Sequence, residues 1–128
     1  MRFVKPGVDT QLEWSDRFDY EGEALIHIPE GKGVYLLLRL LPNRRWRVFY
    51  VGQGEVRARL VGHSRPTEAN ECVRKHLAEN RCRFQYSLVE DEGRRRGIER
   101  FLIRTYDALG ECNDVLPDDE PVSVNLPD

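Results

Sequence analysis

Cysteine is scarce in this 128-residue chain: Cys72, Cys82 and Cys112 are the only three, with no Cys-x-x-Cys pair among them. An odd and widely spaced set indicates neither a disulfide framework nor a zinc ribbon, and predicts reduced thiols. Long apolar runs are missing as well. None approaches the length of a membrane-spanning helix, and residues 1–5 lack the apolar stretch behind them that would make a signal peptide. A cytoplasmic chain without membrane attachment is therefore expected. Internal repeats are absent, and the length suits one domain with a core of its own.

Charge is plentiful but unevenly placed. The formal net charge is only −2, yet residues 31–104 carry 17 Lys and Arg against 8 Asp and Glu, and the remainder carries 3 against 14. A basic middle is what phosphate binding needs, because Lys and Arg displace the counterions condensed on a nucleic acid. Solvated charged faces are the bland alternative, and the acidic ends are able to fold back over the basic surface.

Residues 1–30 read as an N-terminal extension with an edge strand at 24–28, closed by Pro29. Residues 34–41 form a nearly unbroken apolar run, too short for most helices, and predict a strand covered on both faces. Turn chemistry at 42–45 and the aromatic, β-branched stretch 46–51 predict a hairpin partner. At about 100° per residue, Val56, Arg59, Leu60 and His63 share one face of a helix over 55–63. A second helix is expected over 69–78, capped by Thr67. Next comes a half-buried strand over 82–89 that alternates Phe84, Tyr86 and Leu88 with Arg83, Gln85 and Ser87. A last helix starts at Asp91 and runs to about Leu109, before Gly110. Residues 114–128 are acidic and proline-rich, and read as a tail lying over the domain.

Two clusters carry potential chemistry. Cys72 and His76, four apart on the second helix with Cys82 close behind, have a spacing compatible with metal ligation; a buried thiol beside an ordinary histidine is the favoured reading. Glu99 falls inside the apolar arc made by Ile98, Phe101, Leu102, Ile103, Tyr106 and Leu109. A carboxylate there costs desolvation unless a cation compensates, which makes it a metal-ligand candidate; a structural salt bridge to a nearby arginine is the alternative.

Gly33-Val34-Tyr35 and Tyr50-Val51-Gly52, followed by Arg59, His63 and Glu99 in that order, resemble the GIY-YIG endonuclease superfamily. The resemblance spans most of the chain, with 31–113 as the catalytic domain. It implies an α/β (α+β) fold with a small three-stranded, mainly antiparallel sheet flanked by helices. It implies DNA as the substrate, with RNA as the alternative, and a single Mg²⁺ or Mn²⁺ held by Glu99. In this scheme Tyr35 is the general base, its pKa lowered by a neighbouring cation and the metal; Tyr50 assists, Arg59 holds the transition-state charge, and His63 relays a proton or touches the phosphate. Gly33, Gly52 and a terminal asparagine are the structural motif residues; Asn113 is favoured for the last, with Asn125 the alternative. The step from Tyr50 to Arg59 is one residue shorter than is common, leaving Arg57 as a fallback, and Gln53 stands where many relatives have lysine, serine or threonine. Arg44, Arg45, Arg47, Arg57, Arg94, Arg95 and Arg96 are the expected nucleic-acid contacts. Two other readings stand beside this one: a module of the same fold that binds nucleic acid without cutting, and an interaction domain whose acidic ends dock a protein partner or a second copy.

Overall fold

The computed structural model describes residues 7–127, so the stretch 1–5 read for a leader and Asp128 lie outside the described residues. The elements are β1 (Phe18–Asp19), α1 (Gly22–Ile26), β2 (Lys32–Leu40), β3 (Trp46–Glu55), α2 (Val56–His63), α3 (Glu71–Glu79), β4 (Cys82–Leu88) and α4 (Glu92–Thr105), followed by a 3-10 turn at Ala108–Gly110. The four strands pair antiparallel in the order β1-β4-β2-β3, giving an α+β fold.

The apolar run is the strand around which the rest is built. Alternation along β2 sends Val34, Leu36 and Leu38 to one face, where Ile98, Leu102 and Ile103 of α4 bury against them. It sends Tyr35 and Leu37 to the other, against Val56 and Leu60 of α2 and Val73 of α3. Both faces are covered, so a continuous apolar strand is the sequence this position demands.

Several expectations need correction. Among the described residues the sheet has four strands; the fourth is the two-residue β1, whose neighbour Ser15 donates its N–H to the Tyr86 carbonyl at 2.8 Å. Residues 24–28 are not an edge strand: they begin inside α1, which buries Leu25, and Ile28 is buried just beyond its end. β4 is not half-buried. Gln85 and Ser87 lie in the interior and Leu88 is exposed, since the N-terminal segment lies over that face and Ser15 accepts from Gln85. α3 starts two residues later than expected, capped by Asn70, whose side chain accepts from Val73 N–H; Thr67 is not the cap. Asp91 does cap α4, accepting from Arg94 N–H at 2.7 Å. α4 ends early because Asp107 adopts a left-handed backbone at φ 53°, and this leaves Leu109 exposed.

The thiol expectation also fails, because Cys72 and Cys112 form a disulfide and only Cys82 is free. Forty residues separate the pair, and α3 and the turn after α4 meet only in the folded chain.

β3 lies at the edge of the sheet, and a single side chain seals part of it. Asn113 accepts from Val51 N–H and donates to the Val51 carbonyl, both at 2.8 Å, while Cys112 N–H bonds to the Phe49 carbonyl. Asn113→Ala would leave both Val51 groups buried and unpaired, and should cost about 2–4 kcal/mol in chemical denaturation. Asn125 holds Leu12 in the same two-bond way. The C-terminal segment lies on α4 at Gly97, whose carbonyl accepts from Val122 N–H and where any side chain would overlap Val122.

Candidate active site

The two tyrosines come from neighbouring strands. Tyr35 pairs across the sheet with Gly52, and Tyr50 with Leu37, so both rings project to the face that carries α2, with centroids 6.3 Å apart. Gly52 is required here for lack of a side chain: a Cβ would overlap the Tyr35 Cζ and hydroxyl. Gly52→Ala should displace that ring and lower stability by about 1–3 kcal/mol. Gly62→Ala meets nothing within 4 Å on α2 and serves as the control, expected to be neutral or stabilising in the same thermal melt.

α2 brings His63 against both rings, at 5.7 Å from Tyr35 and 5.3 Å from Tyr50. The Tyr35 hydroxyl lies 2.7 Å from His63 Nε2, and His63 Nδ1 lies 2.8 Å from Glu68 Oε2. A carboxylate only accepts, so Nδ1 carries the proton; Nε2 is then the acceptor and Tyr35 the donor. Burial lowers the His63 pKa against the opposing pull of Glu68, which keeps the ring neutral. The other Glu68 oxygen accepts from Asn70 N–H, fixing the carboxylate.

Glu68 was not read from the sequence. It follows His63 by five residues, across a stretch broken by Pro66 that has no period to align it. An acidic residue in the turn after a histidine is the only local signal.

Arg59 is exposed, with no hydrogen bond or ion pair among the described residues, and its Nε faces Gly54. Its charge reaches Tyr35, Tyr50, His63 and Glu99. The fallback Arg57 is engaged elsewhere, paired with Glu30. The expected lowering of the Tyr35 pKa is reversed. Burial pushes that hydroxyl well above its ordinary value and outweighs Arg59. Burial raises Tyr50 in the same direction.

Glu99 arrives from α4, on the opposite face of the sheet, and its charge reaches both tyrosines. It is half-buried and makes no hydrogen bond or ion pair among the described residues. Burial pushes its carboxyl up to about 7, against the pull of Arg59 and Arg96. A hard oxygen donor without a hydrogen bond or ion pair among the described residues fits a hard divalent cation, with water and phosphate completing the shell. No other carboxylate is needed for such a single-ligand site.

The arginines expected to contact nucleic acid divide sharply. Arg95 is buried and spends its guanidinium on the Val89 and Glu90 carbonyls and on Gln53, so it is unavailable to phosphate. Arg47 pairs with Glu111, Arg96 with Asp119, and Arg94 donates to Thr10. Acidic residues of the C-terminal part thus cover the basic middle. Arg44 and Arg45, in the β2–β3 turn, remain exposed with no side-chain partner among the described residues. A concavity of about 480 Å³ between α1 and α2, lined by Leu25, Ile26 and Arg57, includes none of the clustered residues. No described helix is long and apolar enough to cross a membrane.

Tyr35, Tyr50 and His63 therefore pack together, and the charges of Arg59 and Glu99 reach the two tyrosines; Gly33 and Gly52 lie in the strands behind them and Asn113 braces β3 at Val51. No protein-family model, curated protein or solved structure matches this chain.

Proposed function

We propose that this protein is a metal-dependent endonuclease of GIY-YIG type that hydrolyses DNA phosphodiester bonds. The observation that supports the reading is the hydrogen-bonded line Tyr35–His63–Glu68, within reach of the charges of Arg59 and Glu99, neither of which has an ion pair among the described residues. A buried neutral tyrosine is a poor base alone. Here its proton has somewhere to go: as the Tyr35 oxygen takes a proton from the attacking water, its own proton passes to His63 Nε2. Glu68 stabilises the resulting imidazolium. Tyr50 lies beside both rings, placed to orient the water. The Arg59 fork is free to hold the phosphoryl oxygens as charge builds on them. Glu99 would hold Mg²⁺ or Mn²⁺, which when bound supplies Lewis-acid stabilisation of the leaving oxygen.

Incubation of the purified protein with supercoiled plasmid should give nicked and linear DNA in the presence of Mg²⁺, and none with a chelator. Cleavage that persists in both Tyr35→Phe and Glu99→Ala would overturn the assignment. Arg59→Ala, which removes the charge clamp, should slow cleavage by about 10²–10³-fold with little change in stability, as followed by single-turnover kinetics.

A further inference from the structure

A second cluster is made where α3 meets the segment after the 3-10 turn. Cys72 and His76 are four apart on α3, so they share a helical face. Cys112, after the 3-10 turn, meets them there: one ligand atom from each of the three lies within 4.8 Å of the others. We propose that Cys72, His76 and Cys112 form a binding site for a thiophilic divalent cation of the zinc class, opened when the Cys72–Cys112 disulfide is reduced.

The chemistry closes in two steps. A dithiol reductant gives up two electrons and two protons, becoming a cyclic disulfide while Cys72 and Cys112 become thiols. The cation then binds both sulfurs and the imidazole, releasing the two thiol protons. Two thiolates cancel the charge of a divalent ion, leaving a neutral centre suited to this partly buried position. Zinc takes sulfur at about 2.3 Å and imidazole nitrogen at about 2.0–2.1 Å in a tetrahedron, which the 4.8 Å envelope accommodates. Two sulfurs and one nitrogen select this class over Mg²⁺ or Ca²⁺, which require oxygen.

The surroundings supply the remaining parts. The Asn80 amide lies 3.0 Å from His76 Nδ1. Turned so that its oxygen accepts from Nδ1–H, it leaves Nε2 as the ligand atom. Cys82 is not the fourth ligand, because its thiol is directed to the His76 and Asn80 carbonyls. Water takes that position. The backbone around the site is already held: Cys112 N–H bonds to the Phe49 carbonyl, and the Cys112 carbonyl accepts from Asn70. Either cross-link, disulfide or metal, joins α3 to the residue preceding Asn113.

The full chain, reduced with a dithiol and freed of it without air, should bind one equivalent of Co²⁺. The signature is thiolate-to-cobalt charge transfer together with the visible bands of a tetrahedral centre, displaced by Zn²⁺. The oxidised protein should show neither. His76→Ala, which keeps both sulfurs, and Cys112→Ser should each weaken binding by ~100-fold or more, while Cys82→Ser should leave it unchanged. The proposal is overturned if the reduced, folded protein binds no Co²⁺, if reduction itself unfolds the chain by circular dichroism, or if Cys82→Ser abolishes the signal and His76→Ala does not. The readout involves no DNA, so it stands or falls apart from the nuclease assignment.

Discussion

Glu99→Gln should abolish cleavage and at the same time make the metal-free protein more stable at pH 8. The carboxyl sits half-buried with its pKa pushed up to about 7, from an ordinary value of 4.5. The folded state therefore binds the proton more tightly than the unfolded chain. The associated stability is fully present below pH 4.5, is lost as pH rises towards 7, and is gone above that. A shift of this size corresponds to about 3 kcal/mol, reduced to roughly 2 kcal/mol once solvent screening of a half-exposed group is allowed for. Glutamine carries no charge to desolvate. The variant should melt roughly 5–10 °C higher than wild type at pH 8, and within a degree or two of it at pH 4.5. Mg²⁺ should raise the melting temperature of wild type at pH 8 and leave the variant unchanged. Thermal melts at both pH values, with and without Mg²⁺, check each part. An equal shift at both pH values would show that Glu99 is not the titrating group, and surviving cleavage would remove it from the chemistry.

Tyr35→Phe should reduce single-turnover cleavage by about 10²–10⁴-fold, the range of a lost general base, while the packed ring keeps the fold. The more discriminating variant is Glu68→Gln. Burial lowers the His63 pKa, and the Glu68 carboxylate opposes that shift. Removing the negative charge lets the pKa fall further. The relay needs a neutral imidazole to receive the Tyr35 proton, so activity rises with pH as His63 deprotonates. In Glu68→Gln that acidic limb should move to lower pH, while the plateau drops by about 10–100-fold because the imidazolium loses its counter-charge. Saturating Mg²⁺ keeps Glu99 out of the profile. A uniform loss with an unmoved limb would mean that Glu68 only supports the loop.

The legible parts of this molecule were those with local periodicity. β2 declared itself as a continuous apolar run, and its hairpin with β3 followed from the turn and the aromatic stretch. Helical spacing gave the buried face of α2 at Val56, Leu60 and His63, although Arg59, assigned to the same face, is exposed; it gave Ile98, Leu102 and Ile103 of the arc around Glu99, although α4 ends at Thr105 and leaves Leu109 out of it. Features made by distant segments were not legible. The disulfide joins residues forty apart, and Glu68 acts from an irregular turn. Arg95 looks identical to Arg94 and Arg96 in sequence. Only the packing of α4 against the β4–α4 connection decides that the middle arginine points inward. α1 is not legible because five residues with one buried anchor, Leu25, offer too little pattern to separate a helix from a strand.

The amide seal on β3 bears on how this domain meets other molecules. An open sheet edge invites another extended chain to continue the ladder. At one end of this sheet that invitation is withdrawn by Asn113 and Cys112, which occupy the Phe49 and Val51 hydrogen-bonding positions. At the other end, β1 offers only two residues. Over the Phe49–Val51 stretch a second copy or an extended peptide is left without a template for strand addition.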